Sequence, residues 1–112
     1  HINYWDLVGG LSIEFHPGMY SDPDLSMKLL QAGVKDFIGV GNSLVYHFGS
    51  KSTGRIKKNK GRTIFILKWG ISAGKFYRDS LFMGKNLQKA KDYNLSLLGR
   101  FKRAYYALRS KD

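Results

Sequence analysis

Cysteine is absent from the 112 residues, which removes a disulfide framework and a thiolate metal site and fits a reducing compartment. Acidic residues are scarce: 8 Asp and Glu stand against 19 Lys and Arg, giving a net charge of +11 and a pI near 10. No apolar run approaches the ~18 residues of a membrane span, and no signal-peptide pattern is seen. No internal repeat is seen either. What is present argues for a folded chain. A hydrophobic content of 43 % with 14 % aromatics is too rich for a disordered polymer, and the length allows at most one small domain with a real core.

The most informative stretch runs from Pro17 to Gly33 and is read together with Val45–Ser50. Asp22 suits an N-cap, and Pro23 after it suits the first helical position, where a missing N–H costs nothing. Gly33 suits the left-handed position that closes a helix, with Val34 folding back behind it. The spacing predicts a helix over about 23–32, with Leu25, Leu29, Leu30 and Ala32 on its buried side. Ahead of it, residues 2–8 read as a short helix stopped by Gly9 and Gly10. Residues 11–15 alternate, and His16-Pro17-Gly18 is a turn. His16 reads as an exposed loop residue. Behind the helix, 35–40 and 44–48 read as short strands around a turn at Gly41-Asn42.

The remainder divides into a basic loop and a helical tail. Residues 49–62 are rich in glycine and hold six of the nineteen cations, at 51, 55, 57, 58, 60 and 62. A solvated loop, a nucleic-acid patch and a loop closing over a diphosphate compete for this segment. The lack of any aromatic within it disfavours nucleic acid. Residues 63–70 form an apolar run that pattern alone leaves open between strand and helix. Ser72 caps a helix expected to reach Met83 and stop at Gly84. From Asn86 to Ser110 the apolar residues recur at helical spacing, with Arg100, Lys102, Arg103 and Arg109 among Phe101, Tyr105 and Tyr106. Such a helix fits an anionic membrane surface or a packing helix with a basic outer face.

Gly9-Gly10, Phe15, Ser21-Asp22-Pro23-Asp24-Leu25, Lys28-Leu29, Ala32-Gly33 and Val45-Tyr46-His47…Ser50 occur in an order and spacing that resembles the second half of a family-2 glycosyltransferase. The likeness covers roughly residues 4–53. The family pattern carries Glu where Ser21 stands and often Arg where Lys28 stands; Asp22, at the position of the family's base, is kept. The resemblance implies an α/β fold of the GT-A type, with short strands, several helices and a helical C-terminal tail. Residues 1–62 would form the acceptor and metal side, and 63–112 a helical extension packed on it. The nucleotide-binding βα units and their Asp-x-Asp motif would precede His1, and this fragment alone would be inactive.

The same resemblance implies inverting transfer of a sugar from a nucleotide-diphosphate donor to a carbohydrate or lipid-linked acceptor, in bacterial-type polysaccharide or glycoconjugate synthesis. Asp22 would be the general base, and Trp5, Gly9, Gly10 and Asp24 would line the acceptor side. His47 would bind a divalent cation, Mn²⁺ or Mg²⁺. Ser50, Ser52, Thr53 and Arg55 would face the diphosphate. The expected place is the cytoplasm, at the inner face of a membrane. The residues themselves keep plainer readings open: Trp5 as a core anchor, Asp22 as a helix cap, His47 as a packed strand histidine. The alternative function is a non-catalytic basic module for nucleic acid or an anionic membrane. An Asp-x-Asp encoded within ~100–150 residues upstream favours the enzyme; an initiator Met directly before His1 favours the module.

Overall fold

The computed structural model describes residues 1–46, 55–85 and 88–110. Its regular structure is helical throughout: α1 (Ile2–Val8), α2 (Ser21–Gln31), α3 (Gly61–Trp69), α4 (Ala73–Asp79) and α5 (Leu97–Arg109), with 3-10 turns at Ile13–Phe15 and Phe82–Gly84. No helix among the described residues is long and apolar enough to cross a membrane.

Local chemistry sets most of the boundaries. The side chains of Ser72 and Ser96 accept hydrogen bonds from Lys75 N and Gly99 N, at 3.3 and 3.2 Å, and so start α4 and α5. α2 ends as its sequence anticipates. Gly33 takes a φ of 94°, its N–H donates to Leu30 O at 3.1 Å, and Val34 N–H reaches back to Leu29 O at 3.0 Å. Its start differs. Tyr20, not Asp22, occupies the cap position, with a φ of 72° and no side-chain cap bond, and the helix begins at Ser21. Asp22 therefore sits inside the first turn, where a carboxylate still meets the positive end of the helix. α4 stops at Asp79, short of the expected Met83. α5 starts only at Leu97, because Ser96 supplies the cap.

The α/β class expected from the sequence is not what forms: among the described residues there is no strand. Residues 36–46 have the apolar, β-branched composition of strands, but a strand exists only as one side of a ladder. The backbone bonds of this region are isolated ones, Ala90 N to Lys35 O at 2.7 Å, Gly39 N to Gly84 O at 2.9 Å and Ser43 N to Val40 O at 3.1 Å. Ile38, Val40, Leu44, Val45 and Tyr46 are all exposed. Residues 47 and 48 of the second expected strand lie outside the described residues.

The core joins the two halves of the chain. Phe15, Met27 and Leu30 from the first half meet Phe65, Trp69, Ile71, Phe76 and Leu81 from the second. Tyr20 leans on Phe65 with ring centroids 6.0 Å apart. α5 lies against the end of α3 at a glycine crossing: a Cβ on Gly99 would stand 2.6 Å from Gly70 O. Gly99→Ala is therefore expected to destabilise the fold by about 1–3 kcal/mol through overpacking, outweighing the gain of ~1 kcal/mol in helix propensity. Urea denaturation measures it; an unchanged or raised midpoint would refute the crossing.

Candidate functional site

The site is organised by two carboxylates two residues apart on α2. Half a helical turn separates them, so they face opposite ways. Asp24 points inward and is fully buried. Its Oδ1 accepts from Trp69 Nε1 at 2.7 Å and pairs with Lys68 Nζ at 2.8 Å, while its Oδ2 accepts from Ser12 Oγ at 2.5 Å. Lys68 Nζ also reaches Glu14 Oε1 at 2.7 Å and Ser12 Oγ at 3.2 Å. The Ser12 hydroxyl thus donates once and accepts from both Lys68 and Lys28, the latter at 3.1 Å. Lys28 Nζ donates further to Gly10 O at 2.6 Å.

This lattice welds α2, α3 and the segment after α1. Asp24, expected to meet acceptor, has no exposed surface and its oxygens are engaged by protein donors; in this structure it is part of the scaffold. Gly10 is buried under Trp5, and a Cβ there would lie 2.8 Å from Trp5 Cζ2. Its backbone is thus held from one side by an indole and from the other by Lys28. Gly9 closes α1 in the left-handed conformation. Trp5, Gly10 and Lys28, all picked from the resemblance, therefore share one cluster with Asp24.

Two charges of the lattice are displaced from their ordinary ranges. Burial works to raise the Glu14 carboxyl, but the hydrogen bond and charge of Lys68 win and hold it below the usual value. Burial likewise works to lower Lys68, and its bonds to Asp24 and Glu14 win and raise it.

Asp22 is exposed and makes no ion pair among the described residues. One turn further on the same side, Ser26 Oγ donates to Asp22 O at 3.0 Å. The Tyr77 hydroxyl is pushed above its usual range, first by burial and then by the negative charge of Asp22, with a hydrogen bond to Ser26 working the other way. Tyr77 and Ser26 line a groove of about 410 Å³ with Phe37, Ile38, Leu81 and Met83. On the other flank, Leu25 and Leu29 line a groove of about 540 Å³ with Tyr4, Trp5, Val34 and Lys35. By helical periodicity Asp22 stands at the head of the ridge between the two grooves.

Comparison with family models, curated proteins and solved structures gives no match.

The remaining expected residues are not brought to this ridge by anything described. His47, Ser50, Ser52 and Thr53 lie outside the described residues, and Arg55 is exposed. Among the described residues no three His, Cys, Asp or Glu side chains are grouped so as to hold a metal ion. The sequence reading missed Tyr77 and Lys68. A single lysine inside the apolar run Ile64-Phe-Ile-Leu-Lys-Trp69 was the available signal for a buried ion pair; Tyr77 carried none.

Two outcomes follow from the lattice. Asp24→Ala should cost about 3 kcal/mol in urea denaturation, the low end for breaking a buried pair because Lys68 keeps Glu14; a loss indistinguishable from zero would contradict the lattice. Because Glu14 is depressed in the folded state, its contribution is complete above its unfolded pKa and is lost as pH falls through the folded one. Glu14→Gln should therefore flatten the decline in stability between about pH 5 and 3, where unpaired glutamates titrate. An acid limb identical to wild type would remove Glu14 from it.

Proposed function

We propose that this chain carries the acceptor-side residues of an enzyme that transfers a sugar from a nucleotide-diphosphate donor to an acceptor hydroxyl with inversion. The observation that carries the reading is the division of labour within Ser21-Asp22-Pro23-Asp24. Asp24 is locked into the core and fixes the rotation of α2, and that rotation holds Asp22 outward between two grooves. In a chain where Glu14, Asp24, Asp36, Asp79 and Asp92 all sit in ion pairs, Asp22 is exposed and unpaired among the described residues. Asp6 is the other such carboxylate, and it lies on α1, away from the α2 ridge.

Asp22 accepts the proton of the acceptor hydroxyl as that oxygen bonds to the anomeric carbon. The bond from that carbon to the diphosphate breaks on the opposite side, and the electron pair leaves with the nucleotide diphosphate. Fixing the base on a rigid helix limits the geometry it must search. Trp5, half exposed over its groove, offers an aromatic face to a sugar ring. His47 is assigned to a divalent cation and Ser50, Ser52, Thr53 and Arg55 to the diphosphate, on the resemblance alone. The cation enters none of the steps above.

The test uses the complete gene product and nucleotide-sugar donors. Asp22→Asn keeps the shape of the ridge and removes the base, so transfer should fall by about 10²–10⁴-fold with donor affinity unchanged by calorimetry. Near wild-type transfer by this variant would end the assignment. Trp5→Ala should raise the acceptor KM while leaving that of the donor in place.

A further inference from the structure

α5 is amphipathic in the reverse sense to a helix that packs on a core. With ~3.6 residues per turn, Leu97, Leu98, Phe101, Tyr105 and Leu108 share one side, and Gly99, Arg103 and Tyr106 share the opposite side. The second set faces the protein. Gly99 crosses Gly70, the Arg103 guanidinium lies 6.0 Å over the Trp69 ring, and Tyr106 OH donates to Glu14 Oε1 at 3.4 Å. The apolar set is left outside, its five side chains between 50 and 74 % exposed. A globular protein normally turns such a stripe inward.

The margins of the stripe indicate what covers it. Arg109 and Lys102 flank it on one edge and Arg100 on the other, and Arg109 Nη1 donates to Tyr105 OH at 2.7 Å. No Asp or Glu occurs from Tyr93 to Ser110, and the whole chain carries +11. A second copy would bring equal positive charge to the contact, with no carboxylate on this helix to answer it. The helix is also held to the domain along its inner side, opposite the stripe, which leaves the stripe open to a flat surface. We infer that α5 docks the domain on an anionic lipid bilayer, its apolar stripe entering the headgroup boundary and its basic margins pairing with lipid phosphates. The inference is independent of the sugar-transfer reading.

The test is co-sedimentation of the 112-residue chain with phosphatidylcholine vesicles, with and without ~30 % phosphatidylglycerol. The wild type should bind the anionic vesicles and leave the neutral ones largely free. Leu98→Ser, Phe101→Ser and Leu108→Ser combined should weaken anionic binding about tenfold or more, since these exposed side chains provide the buried area. Absence of binding to anionic vesicles would overturn the inference, as would undiminished binding by the triple variant, which would place attachment in the basic loop alone. A chain without cysteine permits a second readout that does not depend on the triple variant folding. An environment-sensitive dye on Phe101→Cys should shift its emission to the blue on anionic vesicles; an unshifted emission with bound protein overturns the docking face.

Discussion

The Asp24 carboxylate is the constraint on which the rest of this small fold depends. It is a charge with no access to water, and such a group is tolerated only when its lone pairs are met by good donors. Here Ser12, Lys68 and Trp69 meet them, from segments lying on either side of α2 in the chain. The lattice is therefore a specifying device. Rotating α2 would strand a buried charge, and moving α3 would strand the Trp69 indole and the Lys68 ammonium. Through Ser12 and Lys28 the same network reaches the Gly10 turn and the indole of Trp5. The outward position of Asp22 is the consequence of an inward contact two residues away.

The distribution of charge gives the molecule two different surfaces. Several carboxylates are engaged in holding segments together: Lys35 pairs with Asp92 at 2.7 Å, and Lys89 with Asp36, which ties residues 35–36 to the stretch before α5. These pairs are exposed and individually weak. Their effect is to spend acids on tethering, so that the outer side of α5 and the segment before α3 remain basic. The ridge headed by Asp22 is the exception, a negative group near the Tyr77 phenol and between two grooves.

At three boundaries a single residue was enough to read them from the sequence. Gly9, Gly33 and Ser72 do what their chemistry suggests, whereas the helical spacing read from Asn86 is realised only from Leu97 onward, after a Ser96 cap that the reading did not anticipate. The start of α2 was misread because Asp22 and Pro23 look like a cap and first residue, whereas a left-handed Tyr20 lets the helix begin earlier. The strands failed for a different reason. Ile38, Val40, Val45 and Tyr46 favour a pleated surface, yet pairing is a tertiary property, and the neighbour they meet is the 3-10 turn at Phe82–Gly84, which gives Gly39 N one bond and no ladder. The lattice was hidden for the same reason: Lys68 in its apolar run hinted at a buried pair, but its partners Ser12, Glu14 and Asp24 lie far off in the chain, and only the fold makes them neighbours.

The two tryptophans offer the most direct measurement of the central claim. Hydrogen exchange of the indole N–H groups, followed by NMR on the intact chain, compares Trp69, buried and donating to Asp24, with half-exposed Trp5. The account predicts that the Trp69 signal exchanges only through global unfolding, while that of Trp5 is lost far sooner, because one proton is locked in the lattice and the other belongs to a surface ring. Equal exchange of both indoles would contradict it, since α2 would then lack the anchor that turns Asp22 outward.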